Sequence, residues 1–193
     1  MALRESGSAS MAYFYCDFRD EDKQSRRNIV LSILSQLSDQ SDACVVALSH
    51  LYLVLNNGAQ KPSDGALLRC LKEVLSQWAQ GPVYLILDAL DECPHNSGMP
   101  SPREQVLDLV KVLVGSRVSN LHICVTSRPE IDIRNALEPL TSFRISLHEQ
   151  SGQKKDIIKY VNSVVHSDIM MRRWREDDKT LVIETLSERA DGM

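Results

Sequence analysis

The sequence predicts an α/β domain on a mostly parallel sheet, and three observations predict it. Short apolar runs of strand length recur at residues 12–16, 83–87 and 121–125, with a weaker one at 143–147. The segments between them repeat their apolar residues at helical spacing, and strands alternating with helices call for parallel pairing through crossovers. Three of the four runs end in polar residues, namely Asp17, Asp88 and the Thr126-Ser127-Arg128 set. Open parallel sheets bind ligands beyond the carboxyl ends of their strands, so these residues mark one edge as the place to look.

Each element follows from local pattern. Residues 1–11 are small and polar and read as a disordered tail. Tyr13, Phe14 and Tyr15 give the first run the aromatic character of a buried strand. Between 24 and 37, Ile29, Val30, Ile33, Leu34 and Leu37 recur at helical spacing. A second helix spans about 43–55 and stops at Asn56-Asn57-Gly58. A third opens after Pro62 with Ser63 or Asp64 as N-cap, carries Leu67, Leu68, Leu71, Val74, Leu75 and Trp78, and ends at Gly81-Pro82. The continuous run 83–87 suits a central strand covered on both faces. A loop from 93 to 102 precedes an amphipathic helix bearing Val106, Leu107, Val110, Leu113 and Val114, which leads through Gly115 to the third strand. Arg128-Pro129 then starts a short helix to about 137, and two last helices are predicted at about 154–165 and 179–190.

Composition excludes several classes. The chain of 193 residues has room for one α/β domain, and its 43% apolar and 25% charged residues suit a soluble globular core. A net charge of −4 without a basic stripe argues against nucleic acid. Arg172, Arg173 and Arg175 surround Trp174, but Glu176, Asp177 and Asp178 follow at once, which reads as a solvated segment between helices. The five cysteines are odd in number, scattered and without a C-x-x-C pair, which fits core thiols in a reducing cytoplasm. Cys93 and His95 form the one tight Cys/His pair, without a second at zinc spacing. His50, His122, His148 and His166 are read as structural. The start lacks a signal-peptide pattern, and no apolar run approaches bilayer-spanning length.

The strongest chemical signal is Val83-Tyr84-Leu85-Ile86-Leu87-Asp88-Ala89-Leu90-Asp91-Glu92. An acid directly after a buried strand is how P-loop NTPases hold Mg²⁺ beside the β- and γ-phosphates, so Asp88 is the candidate metal and cofactor residue. Asp91 and Glu92 fall one turn later and are the candidates to orient or deprotonate an attacking water. The alternative is that Asp88 caps a helix whose positive end favours Asp91 and Glu92. The second signal is the run 121–125 ending in Thr126, Ser127 and Arg128, where a guanidinium offers planar donors to phosphate oxygens. Thr126, Ser127 and Arg128 are therefore candidate cofactor-binding residues, against the reading of Arg128 as a turn arginine paired to a surface acid.

Taken together, these residues resemble the NACHT family of signal-transduction NTPases, in its fungal nephrocystin-like branch. The matching pieces are Tyr13-Phe14-Tyr15-Cys16-Asp17-Phe18-Arg19-Asp20, Ile33-Leu34-Ser35-Gln36-Leu37, Leu87-Asp88-Ala89-Leu90-Asp91-Glu92-Cys93, Thr126-Ser127-Arg128-Pro129 and the terminal Ala190-Asp191-Gly192-Met193. The resemblance implies a three-layer P-loop NTPase-like parallel sheet, with an NTPase core over 12–148 and a helical extension over 149–193. It also implies Mg²⁺ with ATP or GTP as cofactors of the intact family. No G-x-x-x-x-G-K-[ST] occurs in the chain. The family's loop, with its strand, would lie upstream of Met1, and that strand would sit between the 121–125 and 143–147 strands. The sheet is thus expected to be incomplete, the chain a fragment, and nucleotide binding weak or lost, so that the fragment alone need hold no cofactor.

Three functions compete on this basis. The first is a nucleotide-controlled switch module of a larger signal-transduction NTPase. The second is a non-catalytic interaction or oligomerisation fragment, partnering other NACHT or repeat proteins or its own missing segments, with no membrane and no nucleic acid. A metal-dependent hydrolase or nuclease using Asp88, Asp91 and Glu92 ranks last, for want of the further ligands of a two-metal site.

Overall fold

The computed structural model describes residues 9–77, 81–95, 98–146 and 151–189. Contacts divide the chain into two units, Met1–Thr141 and Ser142–Met193. In the first unit, β1 (Ser10–Tyr15), β2 (Val83–Asp88) and β3 (Leu121–Val125) form a parallel sheet in that order. This is the α/β architecture expected, consistent with part of a P-loop-like three-layer fold. β1 begins at Ser10, two residues inside the expected tail, and residues 1–8 of that tail lie outside the described residues. The register sets Phe14 beside Leu87 and Leu87 beside Val125, so the three carboxyl ends finish level.

Helices α1 (Arg26–Ser38), α2 (Asp42–Val54) and α3 (Asp64–Ser76) connect β1 to β2, α4 (Pro102–Gly115) connects β2 to β3, and α5 (Ile131–Leu137) follows β3. Ser63 caps α3 through the Ala66 N–H, and residue 78, read as part of that helix, lies outside the described residues. Ser101 and Glu104 close a capping box on α4. Stepping β1 to β2 to β3 through right-handed crossovers brings the connecting helices to one face. There Ala12, Val83, Leu85 and Leu87 bury against Ile29, Ile33, Leu67, Leu71, Val106 and Leu113. Fully burying a side chain of this size stabilises by about 1.5–3 kcal/mol.

The opposite face differs from the expectation of a strand covered on both sides. Tyr13, Tyr15, Tyr84, His122 and Cys124 are exposed and Ile86 is half-buried. Tyr84 stacks on His122 at 4.9 Å. The apolar run reads as two-sided in sequence, whereas its burial alternates with the strand period, because Tyr84 and His122 cover one another and tolerate water at their polar atoms.

The outer edge of β1 is closed by side chains. Gln36, on α1, accepts from the Tyr13 N–H at 3.1 Å and donates to the Tyr13 carbonyl at 2.7 Å. Gln40, one turn on, does the same for Met11 at 3.1 and 2.9 Å. One helical turn advances about 5.4 Å and two strand residues about 6.6 Å, so residues a turn apart reach alternate strand positions. Two primary amides thus occupy the groups that an exposed edge would offer to another strand. Helix α2, without a charged residue from 43 to 60, fully buries only Cys44 and exposes Val45, Val46, Tyr52, Leu53 and Val54. It ends at Asn56, Asn57 and Gly58, all with positive φ. A Cβ on Gly58 would meet the Tyr52 ring at 2.3 Å.

The strand expected at 143–147 is not formed at residues 143–146, and Leu147 lies outside the described residues. Phe143 is 80% exposed. A lone extended run of this kind has no paired backbone to hold it, and apolar pattern alone does not supply one. In the second unit α6 (Ser151–Ser167) packs on α7 (Glu176–Arg189), both longer at their starts than the spacing indicated. Glu176, Asp177 and Asp178 form the first turn of α7, where the helix dipole favours anions. Glu176 holds Lys179 at 2.7 Å. Trp174, in the connecting segment, is partly exposed, as a solvated segment requires. His148 and residues 190–193 lie outside the described residues. No helix among the described residues is long and apolar enough to cross a membrane.

Candidate functional site

At the end of β2 the chain turns sharply. Asp88 closes the strand, Ala89 takes a left-handed conformation (φ 55°, ψ 48°), and Leu90–Glu92 form a 3₁₀ turn. A left-handed non-glycine residue costs on the order of 1–3 kcal/mol and persists only where neighbours enforce it. Here Leu90 is fully buried and its N–H reaches the Thr126 carbonyl at 3.0 Å, while the Thr126 N–H reaches the Leu87 carbonyl at 3.0 Å. β2 and β3 therefore stay bonded beyond their last ladder pair.

The six residues singled out in sequence come together on this edge. The Thr126 hydroxyl donates to Asp88 Oδ1 and accepts from the Ala89 N–H at 3.0 Å. Asp88 Oδ2 takes no hydrogen bond from the described residues. Asp91 Oδ1 accepts from the Arg128 N–H at 2.9 Å, and its Oδ2 lies 3.5 Å from Arg128 Nε. The Asp91 side chain is 10% exposed against 81% for that of Arg128, so the acid is anchored and the guanidinium stands in solvent. Glu92 Oε2 accepts from the Phe18 N–H at 3.2 Å, and the Ser127 hydroxyl donates to the Arg128 carbonyl at 2.9 Å. Asp88 and Asp91 thus brace the end of β3, and Glu92 braces the segment after β1. Asp17, the third polar strand end, turns instead to Arg19, whose hydrogen bonds hold its carboxyl below the usual range.

Sequence reasoning missed Arg103. This residue is buried on α4, and its guanidinium donates to the Cys93 carbonyl at 2.9 Å, to the Asp91 carbonyl at 2.6 Å and to Asp132 at 3.2 Å. It fixes the turn that carries Asp91 and Glu92 from behind. A signal was present: Arg103 stands three, four and seven residues before Val106, Leu107 and Val110, so a cation occupies the apolar stripe of its own helix. Burial works to raise the Asp132 carboxyl, but the hydrogen bond and charge of Arg103, with the Ile133 N–H, hold it below its ordinary value. His95 Nδ1 adds a contact to Asp132 at 3.4 Å.

Among the described residues, no three His, Cys, Asp or Glu side chains are grouped to hold a metal by themselves. One carboxylate with a free oxygen nevertheless fits Mg²⁺, which keeps several waters and takes its other ligands from phosphates. A shallow recess of about 310 Å³ lies alongside, bordered by Phe18, Glu92, Pro94, Arg103 and Arg128.

A family model described as "Nephrocystin 3, N-terminal" matches residues 2–128. The match takes in all three strands and both polar strand ends of the site. No curated protein and no solved structure matches the chain significantly.

Proposed function

The chain belongs to the nephrocystin 3 N-terminal family, and on that premise we propose that it is part of the nucleotide-binding module of a NACHT-type signal-transduction NTPase. The observation that carries this reading is the Asp88 carboxylate at the end of the central strand, one oxygen on Thr126 and the other free. Asp88 would hold Mg²⁺, which would neutralise the charge of a triphosphate of ATP or GTP, and the Thr126 hydroxyl fixes the carboxylate at the strand end. Arg128, tethered at its backbone by Asp91, keeps its guanidinium in solvent, where it would offer planar donors to phosphate oxygens. Asp91 and Glu92 chiefly hold the strand ends, and either must leave its present partner to activate water. The 193 residues lack a glycine-rich loop with its lysine, which supplies most phosphate-binding amides. The chain by itself therefore binds nucleotide weakly and hydrolyses it negligibly.

Manganese can stand in for magnesium to test this. With Mn²⁺ and ATP at millimolar concentration, amide NMR signals of Asp88, Ala89, Thr126 and Arg128 should broaden first, and Asp88→Asn should remove the effect. Broadening centred elsewhere, or unchanged by Asp88→Asn, would refute the site. Saturable micromolar nucleotide binding would refute the claim of weak binding by this chain.

A second reading is favoured by the exposed apolar side chains of α2. On it the chain is a non-catalytic interaction module that pairs with other NACHT or repeat proteins. A concentration-dependent rise in sedimentation coefficient, without any Mn²⁺ effect at Asp88, would select it.

A further inference from the structure

We propose that Cys16 and Cys93 form a dithiol site for hydroperoxides, closing to an intramolecular disulfide that fastens the end of β1 to the turn after β2. Far apart in sequence, the two residues are brought together by the sheet. Cys16 is the first residue past β1, and its N–H reaches the Asp88 carbonyl at 3.0 Å. Cys93 closes the Leu90–Glu92 turn, its N–H on the Leu90 carbonyl at 3.1 Å. The Glu92 to Phe18 hydrogen bond at 3.2 Å ties the same two segments from the adjacent residue of the turn. Between them the two thiols lie close enough to share a hydrogen bond.

Their surroundings give them different parts. Cys93 borders the recess beside Pro94 and Arg128, and the buried Arg103 guanidinium sits on its carbonyl. Cys16 does not border that recess, so an oxidant entering there meets Cys93 first. Cys93 is accordingly the attacking sulfur and Cys16 the resolving one. With Cys16 4% and Cys93 0% exposed, only a small neutral oxidant admitted through the recess fits the site. Cys44 and Cys70 are also buried neighbours, but the Cys44 thiol is engaged with the Leu34 carbonyl at 3.6 Å, which makes them an internal control.

The chemistry balances with a hydroperoxide as oxidant. The Cys93 thiolate attacks the O–O bond, an S–O bond forms, and the leaving oxygen takes a proton to depart as alcohol or water. Cys16 then attacks the Cys93 sulfur, the S–S bond forms, and the hydroxyl leaves as water with the Cys16 proton. Two thiols lose two electrons and one peroxide gains them.

The test exposes the reduced protein to hydrogen peroxide, counts thiols under denaturing conditions and maps peptides without reductant. Free thiols should fall from five to three, one peptide pair should join Cys16 to Cys93, and reductant should restore all five. In Cys16→Ser, a sulfenic-acid trap should label Cys93. A Cys44–Cys70 link, over-oxidation of Cys93 without a cross-link, or oxidation confined to the exposed Cys124 would each overturn the proposal. The wild-type peptide map decides the matter even if the variant does not fold.

Discussion

The glutamine clasp on the edge of β1 lends itself to a worked prediction. Gln36 and Gln40 together make four hydrogen bonds to the backbone of Tyr13 and Met11. Each such bond is worth about 0.5–1.5 kcal/mol net, and the lower end applies where water can replace the side chain. Tyr13 is partly exposed, so the double variant Gln36→Ala with Gln40→Ala should lose about 2 kcal/mol. Alanine's better helix propensity returns only about 0.4 kcal/mol at Gln36. With a urea slope of about 2 kcal/mol per molar, the unfolding midpoint should fall by nearly 1 M. A second consequence is separable from the first. Freed of its clasp, the uncharged Ser10–Tyr15 edge becomes a template for other strands, and the alanine variant should aggregate faster by light scattering. Glutamates at both positions can accept from the N–H groups but cannot donate to the carbonyls, and they add charge to the edge. That variant should be destabilised without aggregating. A double-alanine midpoint within about 0.2 M of wild type, with unchanged scattering, would refute the idea that the two amides close the sheet.

Two further predictions concern the support behind the strand ends. Arg103→Met keeps the aliphatic stem but strips the donors from the Asp91 and Cys93 carbonyls and leaves Asp132 uncompensated, so urea unfolding should show a loss of about 3–5 kcal/mol; a loss under about 1 kcal/mol would mean that water replaces the guanidinium. Asp132 is held below its ordinary value when folded, so its contribution is present above the unfolded value of about 3.9 and disappears as pH falls through the folded one. Acid unfolding followed by circular dichroism should therefore be less steep for Asp132→Asn, and an unchanged acid limb would show that the ion pair contributes nothing.

Much of the architecture was legible because it depends on local pattern. Runs that end in Asp88 and Val125 read as strands, and Ser63 sits where a cap belongs. The clustering of Asp88, Asp91, Glu92, Thr126, Ser127 and Arg128 followed from parallel topology alone, since successive strands end at one edge. Their partners were not legible. That Asp91 holds the Arg128 backbone and Glu92 the Phe18 N–H depends on the register between strands and on the left-handed turn at Ala89.

By itself, then, the sequence determined an alternating α/β chain, the position of its acids at strand ends and its membership in a family recognisable from short motifs. Periodicity and turn chemistry act over a few residues, and a one-dimensional string carries them in full. Tertiary structure alone decided that Gln36 and Gln40 close an edge, that Arg103 lies buried behind the turn and that Cys16 meets Cys93. It also decided that the second face of β2 stays open at Tyr84 and that residues 143–146 form no strand. Each of these outcomes depends on which backbone groups find a partner across a large sequence separation, and that is set by how the strands align and where the crossover helices land.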